Sequence, residues 1–241
     1  ETTGNISDLN LSSNQKLLVK RLQETGKPVI LILNEGRPRL IHDLVDGCKA
    51  IVNIMLPGNY GGDALADLLS GDENFSGRLP FTYPSHPNSF TTYDFKVCEA
   101  RETMPGTYNY EAHTNTQWWF GEGMSYTTFE YSDLQVVQKS ARCFEVSFKV
   151  KNTGKYDGEE VSQLYMRDEY ASVVQPMKQL KHFERFHLKK GEEKKVTFVL
   201  TEEDFFLVNY TLKKVVESGN FHLMIGAASN DIRLQNVILV E

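Results

Sequence analysis

The glycines in LPGNYGGDALADLLSG, residues 56–71, have a type and spacing that could bind phosphate. They follow the apolar stretch CKAIVNIM and precede a segment with helical apolar spacing, so a strand, a glycine-rich turn and a helix are predicted in that order. Backbone N–H groups in such a turn, together with the N-terminus of the helix, can hold a phosphate group. The first hypothesis to compare with the neighbouring residues is therefore a nucleotide-binding site.

The residues around these glycines argue against a nucleotide-binding α/β protein. A phosphate-binding loop has Lys and then Ser or Thr after its last glycine, whereas Asp63 and Ala64 follow Gly62. The glycines also miss the G-x-G-x-x-G spacing of a dinucleotide site. Asp63 is favourable at a helix start because of the helix dipole. The loop is then either a close-packed turn or the edge of a site for a neutral ligand.

Composition narrows the possible partners. The chain has 241 residues, of which 40% are hydrophobic and 24% charged, enough for one large domain or two ordinary ones. The net charge is −6, and no Lys/Arg cluster is interleaved with aromatic residues. We therefore expect no nucleic acid and no membrane as partners. The chain begins with Glu rather than Met, so we expect a processed product or a piece of a longer protein.

Cysteine and histidine give no sign of a metal or a cofactor. Cys48, Cys98 and Cys143 are far apart and form no CxxC pair, and the six histidines are scattered. We expect the cysteines to be small buried hydrophobic residues, and we expect no metal and no cofactor.

The first half alternates strands and helices, with short connections between them. Continuous apolar runs such as KPVILIL are typical of parallel strands covered on both faces, so this half is α/β. Pro38 is expected at the first position of the second helix, and Gly26 at the end of the first. The predicted helices cover 14–26, 38–45 and 63–69, and the predicted strands cover 27–33, 48–56 and 77–83.

The second half changes to an alternating, period-two pattern. CFEVSFKVK, KKVTFVL and NFHLMIG each alternate apolar and polar residues, with turn signals between them, which favours an antiparallel sandwich. The stretch 84–128 lacks periodicity and is interpreted as an irregular arm. The predicted fold class is thus α/β over 1–128, a partial parallel α/β sandwich, followed by an all-β antiparallel sandwich over 129–241. The residues expected to face the core of this sandwich are Phe144, Val146, Phe148, Val150, Val196, Phe198, Leu200, Phe221, Leu223 and Ile225.

Five motifs in this order resemble the C-terminal part of glycoside hydrolase family 3, and the resemblance runs over essentially the whole chain. The family contains β-glucosidases, β-xylosidases and exo-β-glucanases. The resemblance implies the second half of an α/β sandwich domain followed by a fibronectin type III-like domain. It also implies an N-terminal TIM barrel that this chain lacks and that carries the nucleophilic aspartate. The motifs are TGKPVILILNEGRPRLI, LPGNYGGDALADLLSGDENFSGRLPFTYP, FGEGMSYTTFEYSDL, GEEVSQLYMRD and KKGEEKKVTFVL.

The resemblance also implies a catalytic role for Glu1. Many family members carry an acid/base Glu a few residues before a Gly–Asp or Gly–Asn step and a DLNL-like segment. Glu1, Gly4, Asn5 and residues 8–11 match that spacing, with Asn5 where Asp is common. The implied activity is retaining exo-hydrolysis of a β-linked oligosaccharide or glycoside, with the parent enzyme periplasmic or secreted. From the residues alone, a carboxylate at a chain start is expected to be solvated.

Aromatic residues leave a second function open. Trp118 and Trp119 could form a sugar-stacking platform, or they could anchor the arm against the sandwich. The alternative to an enzyme is a non-catalytic carbohydrate-binding or interaction module. Tyr126 and Phe129 are expected in the core. Candidates for interface contacts are Tyr108, Tyr110 and Glu111.

Overall fold

A computed structural model describes residues 6–87, 92–96 and 116–241. The chain divides into two compact units, which we name the α/β unit and the β-sandwich unit. The segment Asn74–Thr82 groups with the β-sandwich unit although it lies far before residue 129. The α/β unit takes Glu1–Glu73, Tyr83–Thr91 and Thr114–Trp118, and the β-sandwich unit takes Asn74–Thr82, Thr92–His113 and Trp119–Glu241.

The first predicted helix forms as α1, Ser13–Glu24. Ser12 and Gln15 make a capping box, in which each side chain accepts a hydrogen bond from the backbone N–H of the other residue. Gly26 follows with φ at 71°, the left-handed conformation that commonly ends helices. Among the described residues, no helix is both long and apolar enough to cross a lipid bilayer.

Two predicted strands form a parallel sheet in the α/β unit. β1, Ile30–Leu33, pairs in parallel with β2, Ala50–Asn53, which confirms the parallel prediction. The apolar run of β1 is typical of a strand covered on both faces, and the described residues leave one of these faces partly open. Side chains alternate along a strand, so Ile30 and Ile32 share one face, and they are 48% and 39% exposed.

The second helix is shorter than its pattern predicts. α2 spans His42–Val45, so the prediction of a helix starting at Pro38 is wrong. Leu40 instead forms a parallel bridge with Asn10 and donates its N–H to the carbonyl of Leu9 at 3.0 Å. Because the Leu40 N–H bonds to Leu9, it is not available for a hydrogen bond within a helix, and α2 begins only at His42.

The helix after the glycine loop is α3, Gly61–Ser70. It begins before the predicted start at Asp63, and Asp63 lies in its first turn, where the helix dipole favours a carboxylate. Gly71 ends the helix with φ at 90°.

The predicted third parallel strand, residues 77–83, does not form. β3 is confined to Tyr83–Pro84 and pairs antiparallel with β4, Thr116–Trp118. Leu79 belongs to the β-sandwich unit, where its N–H donates to Glu122 O at 2.9 Å and its carbonyl accepts from Gly121 N at 2.8 Å. Residues 77–82 therefore belong to the β-sandwich unit, whereas Tyr83 belongs to the α/β unit. Most of the predicted irregular arm lies outside the described residues.

The β-sandwich unit confirms the antiparallel prediction. One sheet has the order β5-β6-β9, a second has β13-β12-β7-β8, and β10 and β11 form a hairpin next to the short helix α4. The elements are β5 Phe129–Ser140, β6 Cys143–Asn152, β7 Gly158–Asp168, β8 Gln179–Leu188, β9 Glu193–Leu200, α4 Glu202–Phe205, β10 Leu207–Val208, β11 Lys214–Val215, β12 Gly219–Ala228 and β13 Asp231–Val240.

The core of the β-sandwich unit holds every residue that the alternation placed there, each less than a tenth exposed. Phe129 packs against this core, as expected. Tyr126 does not: it is 45% exposed, and its ring meets Phe75 edge-on at 5.5 Å. The prediction for Tyr126 is wrong because it precedes β5, where the alternating pattern no longer fixes the direction of a side chain.

Two cysteines are less buried than predicted. Cys48 and Cys143 are both free thiols of intermediate exposure, and Cys48 Sγ accepts a hydrogen bond from Gln23 Nε2 at 3.4 Å. Cys48 lies before β2, and Cys143 begins β6 at a turn. Cys98 lies outside the described residues.

Candidate active site

The carboxyl ends of β1 and β2 bring polar residues together in the α/β unit. Parallel strands end at the same edge of a sheet, which is where ligands bind in open α/β folds. Glu35 comes just after β1, and its N–H donates to the carbonyl of Met55, which comes just after β2, at 3.1 Å. This edge is therefore the candidate site among the described residues.

Glu35 is the buried acid of the site, with 6% of its surface exposed. Its Oε1 accepts from the Tyr83 hydroxyl at 2.8 Å and from Asn53 Nδ2 at 3.2 Å. Its Oε2 accepts from the backbone N–H of Arg39 at 3.2 Å. A buried carboxylate needs such donors, because burial without hydrogen bonds is costly. The Glu35 carboxylate thus connects the chain after β1 with Asn53 at the end of β2, with Tyr83 of β3 and with the backbone of Arg39.

Tyr83 is the first residue of β3 and is fully buried beside Glu35. Its ring meets Trp118 edge-on at a centroid distance of 4.9 Å. Its hydroxyl lies 2.7 Å from the carbonyl of Arg39 and accepts from Arg39 N–H at 3.1 Å. Burial, together with the hydrogen bond and charge of Glu35, raises the pKa of Tyr83 well above its usual range. The hydroxyl therefore keeps its proton and acts as a donor.

The segment that follows Glu1 in the sequence is tied to this site. The carbonyl of Leu9 accepts from Leu40 N–H at 3.0 Å, and the carbonyl of Asp8 accepts from Arg39 Nη1 at 3.3 Å. The Asp8 carboxyl also accepts hydrogen bonds from the backbone and side-chain N–H groups of Asn10. These hydrogen bonds lower the pKa of Asp8. Residues 8–10 are thus held beside the chain that leaves β1.

Several predicted site residues lie outside the described residues. These are Glu1, Tyr108, Tyr110 and Glu111. Trp118 is described, and its packing on Tyr83 favours the anchoring alternative over a sugar platform for this residue. Trp119 is half-buried in the β-sandwich unit.

The glycine loop between β2 and α3 is tightly packed. A Cβ on Gly61 would lie 2.4 Å from the side chain of Pro57, and Gly58 has φ at 71°, which favours glycine. These contacts favour the close-packed turn. Next to them, Leu56 and Tyr60 are 67% and 81% exposed, so the loop also presents apolar side chains to its surroundings.

No group of three His, Cys, Asp or Glu side chains among residues 6–87, 92–96 and 116–241 is arranged to hold a metal ion. His42 and His86 come close, with ring centroids 4.7 Å apart, but His42 Nδ1 meets Gln117 Oε1 at 3.0 Å and His86 Nδ1 meets Ser85 Oγ at 2.8 Å. Both rings have hydrogen-bonding partners within the protein.

Sequence reasoning missed Glu35, Asn53, Tyr83 and Arg39 as a group. The first two could have been found, because each stands at or just after the end of a predicted parallel strand. Tyr83 could not, because the sequence predicts it in a parallel strand that does not form.

A family model described as "Glycosyl hydrolase family 3 C-terminal domain" matches residues 2–126, more than half of the 241 residues. This chain belongs to glycosyl hydrolase family 3. A second model, "Fibronectin type III-like domain", matches residues 160–229 within the β-sandwich unit. Together they confirm the family resemblance and the fold class of this family 3 chain.

Curated relatives of this family 3 chain are named as glycosidases. The chain is 38% identical to "Beta-xylosidase" of Formosa agariphila over 239 residues, covering 98% of this chain and 33% of the relative. It is also 38% identical to "Thermostable beta-glucosidase B" of Acetivibrio thermocellus, covering 97% of this chain and 32% of the relative. The chain therefore spans about a third of the length of these relatives.

Solved structures agree with this assignment. A β-glucosidase from Erythrobacter marinus matches with a TM-score of 0.90 at 32% identity, covering 99% of this chain and 31% of its own. A β-glucosidase from Listeria innocua in complex with glucose matches with a TM-score of 0.88 at 34% identity, covering 98% of this chain and 34% of its own. The similarity thus extends over both units.

Proposed function

We propose that this chain is the C-terminal portion of a retaining, exo-acting β-glycosidase that hydrolyses terminal β-linked sugars. The observation that carries the proposal is the match of 97–98% of this chain to proteins named β-xylosidase and β-glucosidase. The β-glucosidase of Listeria innocua, similar over both units, holds glucose in its crystal structure. A glucose-type glycoside is therefore the substrate class we propose.

In this proposal Glu1 acts as the general acid and base. An aspartate on an N-terminal TIM barrel attacks the anomeric carbon, while the Glu1 carboxyl gives its proton to the departing glycosidic oxygen. Water then attacks the glycosyl-enzyme and gives a proton back to Glu1. Support comes from residues 8–10, which follow Glu1 in the sequence and which the side chain of Arg39 and the backbone N–H of Leu40 hold beside the candidate site.

The partner we propose for the α/β unit is the N-terminal barrel part of the same enzyme. Large exposed apolar side chains often mark interaction surfaces. Leu17 and Leu18 of α1 are 52% and 61% exposed, and Ile30 of β1 is 48% exposed. These residues would be covered when the rest of the enzyme is present.

The isolated chain should not hydrolyse aryl β-glycosides, because the nucleophile of this reaction is proposed to lie on the barrel. We expect no release of nitrophenol from nitrophenyl β-glucoside or β-xyloside by the purified chain, and release once a barrel chain is added. Turnover by the pure chain would contradict the proposal. Glucose binding by the chain without restored hydrolysis would favour the carbohydrate-binding module instead.

A further inference from the structure

The sheet β5-β6-β9 of the β-sandwich unit carries a cavity of about 140 Å³. An apolar cavity of roughly 150 Å³ holds a benzene ring, so this volume leaves room for one ring-sized molecule. Most of its lining is polar or charged, in contrast to the apolar core of the same unit. The lining residues are Asp133, Gln135, Ser147, Phe148, Lys149 and Lys195.

A bulge in β5 and a small residue in β6 account for the cavity. Ser132 pairs with Lys149 of β6. The next pair is Gln135 with Ser147, so β5 has one residue more than β6 over this stretch. Asp133 lies in the bulge with φ at 54°, a left-handed conformation in which Asp is enriched. Because Ser147 has the smallest side chain of the lining residues, a hollow remains above it between its longer neighbours.

Ser147 is the buried polar residue of the cavity. It is 3% exposed, and its hydroxyl has no hydrogen-bond partner among the described residues. A buried hydroxyl without a partner costs free energy, so a polar atom of a bound molecule is favoured next to it.

Two lysines lie directly opposite each other beside the cavity. Lys149 of β6 pairs with Lys195 of β9, and like charges in that position repel. Lys149 is compensated, because its Nζ lies 2.9 Å from Asp133 Oδ2 and 3.4 Å from Glu193 Oε1. The hydrogen bond to Asp133 and the charge of Asp133 raise the pKa of Lys149, so this lysine stays charged. Lys195 is exposed and has no carboxylate partner among the described residues, so it is the cation left to bind an anionic group.

We propose that this cavity binds one uronic acid residue of an acidic glycan. The sugar carboxylate pairs with the ammonium group of Lys195. The ring hydroxyls donate hydrogen bonds to Asp133 and accept one from Ser147, and the amide of Gln135 offers both a donor and an acceptor. Binding at this cavity requires no hydrolysis, so the inference does not depend on the proposed function.

The charges of the lining select this class of ligand. Two lysines stand against one aspartate, so a ligand with a single negative charge balances them. The carboxylate of Asp133 repels anions and accepts hydrogen bonds, which favours a ligand with hydroxyl donors over phosphate or sulfate. Because the whole chain has a net charge of −6, general attraction does not favour an anion, and binding depends on these local lysines.

Titration of the purified chain with sodium glucuronate, followed by amide NMR, tests the proposal. We expect saturable shifts that are largest around Gln135, Ser147 and Lys195. Glucose is the matched probe, because it has the same ring and hydroxyls with a CH₂OH group in place of the carboxylate. It should bind about 5-fold more weakly, the size of an exposed ion pair. Acetate, which has the carboxylate without the ring, should also bind at least about 5-fold more weakly.

Three variants locate the contacts. Lys195→Gln should weaken glucuronate binding about 5-fold and change glucose binding less than about 2-fold. Ser147→Val fills the cavity with a side chain that suits a strand, and it should weaken the binding of both sugars. Lys139→Gln is the control, because Lys139 of β5 pairs with Glu145 at 3.2 Å and does not line the cavity. It removes the same charge and should leave glucuronate binding unchanged.

Equal binding of glucuronate and glucose would overturn the inference, and so would equal binding of glucuronate and acetate. An equal loss in Lys139→Gln and Lys195→Gln would show general attraction by charge and would overturn it as well. Stronger binding of inorganic phosphate than of glucuronate, or no saturable binding, would have the same consequence. If Lys195→Gln does not fold, the two sugars on the unsubstituted chain and the Ser147→Val variant decide the question.

Discussion

Replacing Arg78 with Met should lower the free energy of unfolding of the β-sandwich unit by about 3–5 kcal/mol, because it leaves a buried carboxylate without its counter-ion. Arg78 Nη2 and Glu160 Oε2 are 2.7 Å apart, and their side chains are 10% and 2% exposed. Removing one partner of a buried pair costs far more than removing the pair, since the remaining charge cannot return to water.

Besides Arg78, the described residues give Glu160 a neutral hydrogen bond, while Arg233 interacts with it electrostatically from above the Tyr131 ring. The Tyr131 hydroxyl donates to Glu160 Oε1 at 2.8 Å, and Ser162 Oγ donates to the Tyr131 oxygen at 3.0 Å. Tyr131 is part of the sandwich core, stacked on Phe148 at 5.8 Å. Without Arg78, the buried Glu160 carboxylate therefore loses its hydrogen-bonded counter-ion.

Urea unfolding of the purified chain measures the effect. Arg21→Met is the control, since Arg21 pairs with Glu24 on the exposed surface of α1 and should change stability by at most about 1 kcal/mol. The double variant Arg78→Met/Glu160→Met should be more stable than Arg78→Met. A loss below about 1 kcal/mol for Arg78→Met would contradict the prediction, since that is the size expected for an exposed pair.

The alternation of apolar and polar residues predicts the β-sandwich unit correctly, but it does not predict which residues far apart in the sequence pair with each other. The inward face of β6 follows from the alternation of Phe144, Val146 and Phe148, because a strand repeats every two residues. Arg78 and Glu160 are far apart in the sequence, and Glu160 stands in GEEVSQLYM, where nothing local indicates burial. This pairing depends on a tertiary contact between the segment 74–82 and β7, which no local stretch of sequence encodes.

The same limit explains the error at residues 77–83. GRLPFTY is apolar enough for a buried strand, but Leu79 pairs with Gly121 and Glu122 rather than with β1 or β2. Gly123 makes this possible, because a Cβ there would lie 2.0 Å from the carbonyl of Gly77. That close approach joins segments far apart in the chain, so no window of sequence reveals it.

Sequence reasoning alone could locate only part of the candidate site. Glu35 was missed, although its place just after a predicted parallel strand could have indicated it, since ligands bind at that edge of open α/β sheets. The role of Glu1 comes from the family resemblance alone, since a carboxylate at a chain start has no local signature of catalysis. The anchoring of residues 8–10 by Arg39 and Leu40 is a tertiary contact that only the structure provides.

Glu1→Gln in the full-length enzyme should lower hydrolysis of β-linked disaccharides by about 10²–10⁴-fold, the usual contribution of general acid–base catalysis. Gln keeps the size of the side chain but cannot donate a proton to the leaving oxygen or accept one from water. Activated aryl glycosides need no such donation, so they should still form the glycosyl-enzyme. Glu24→Gln is the control, because Glu24 is exposed on α1 and should leave activity unchanged.

The most direct test of the account is azide rescue of the Glu1→Gln variant with dinitrophenyl β-glucoside. Azide attacks the glycosyl-enzyme without needing a general base, so it replaces the step that the variant has lost. We predict that azide accelerates turnover of Glu1→Gln and yields β-glucosyl azide, while the unsubstituted enzyme and Glu24→Gln do not respond. Hydrolysis of disaccharides at the unsubstituted rate by Glu1→Gln, with no azide product, would contradict the role of Glu1.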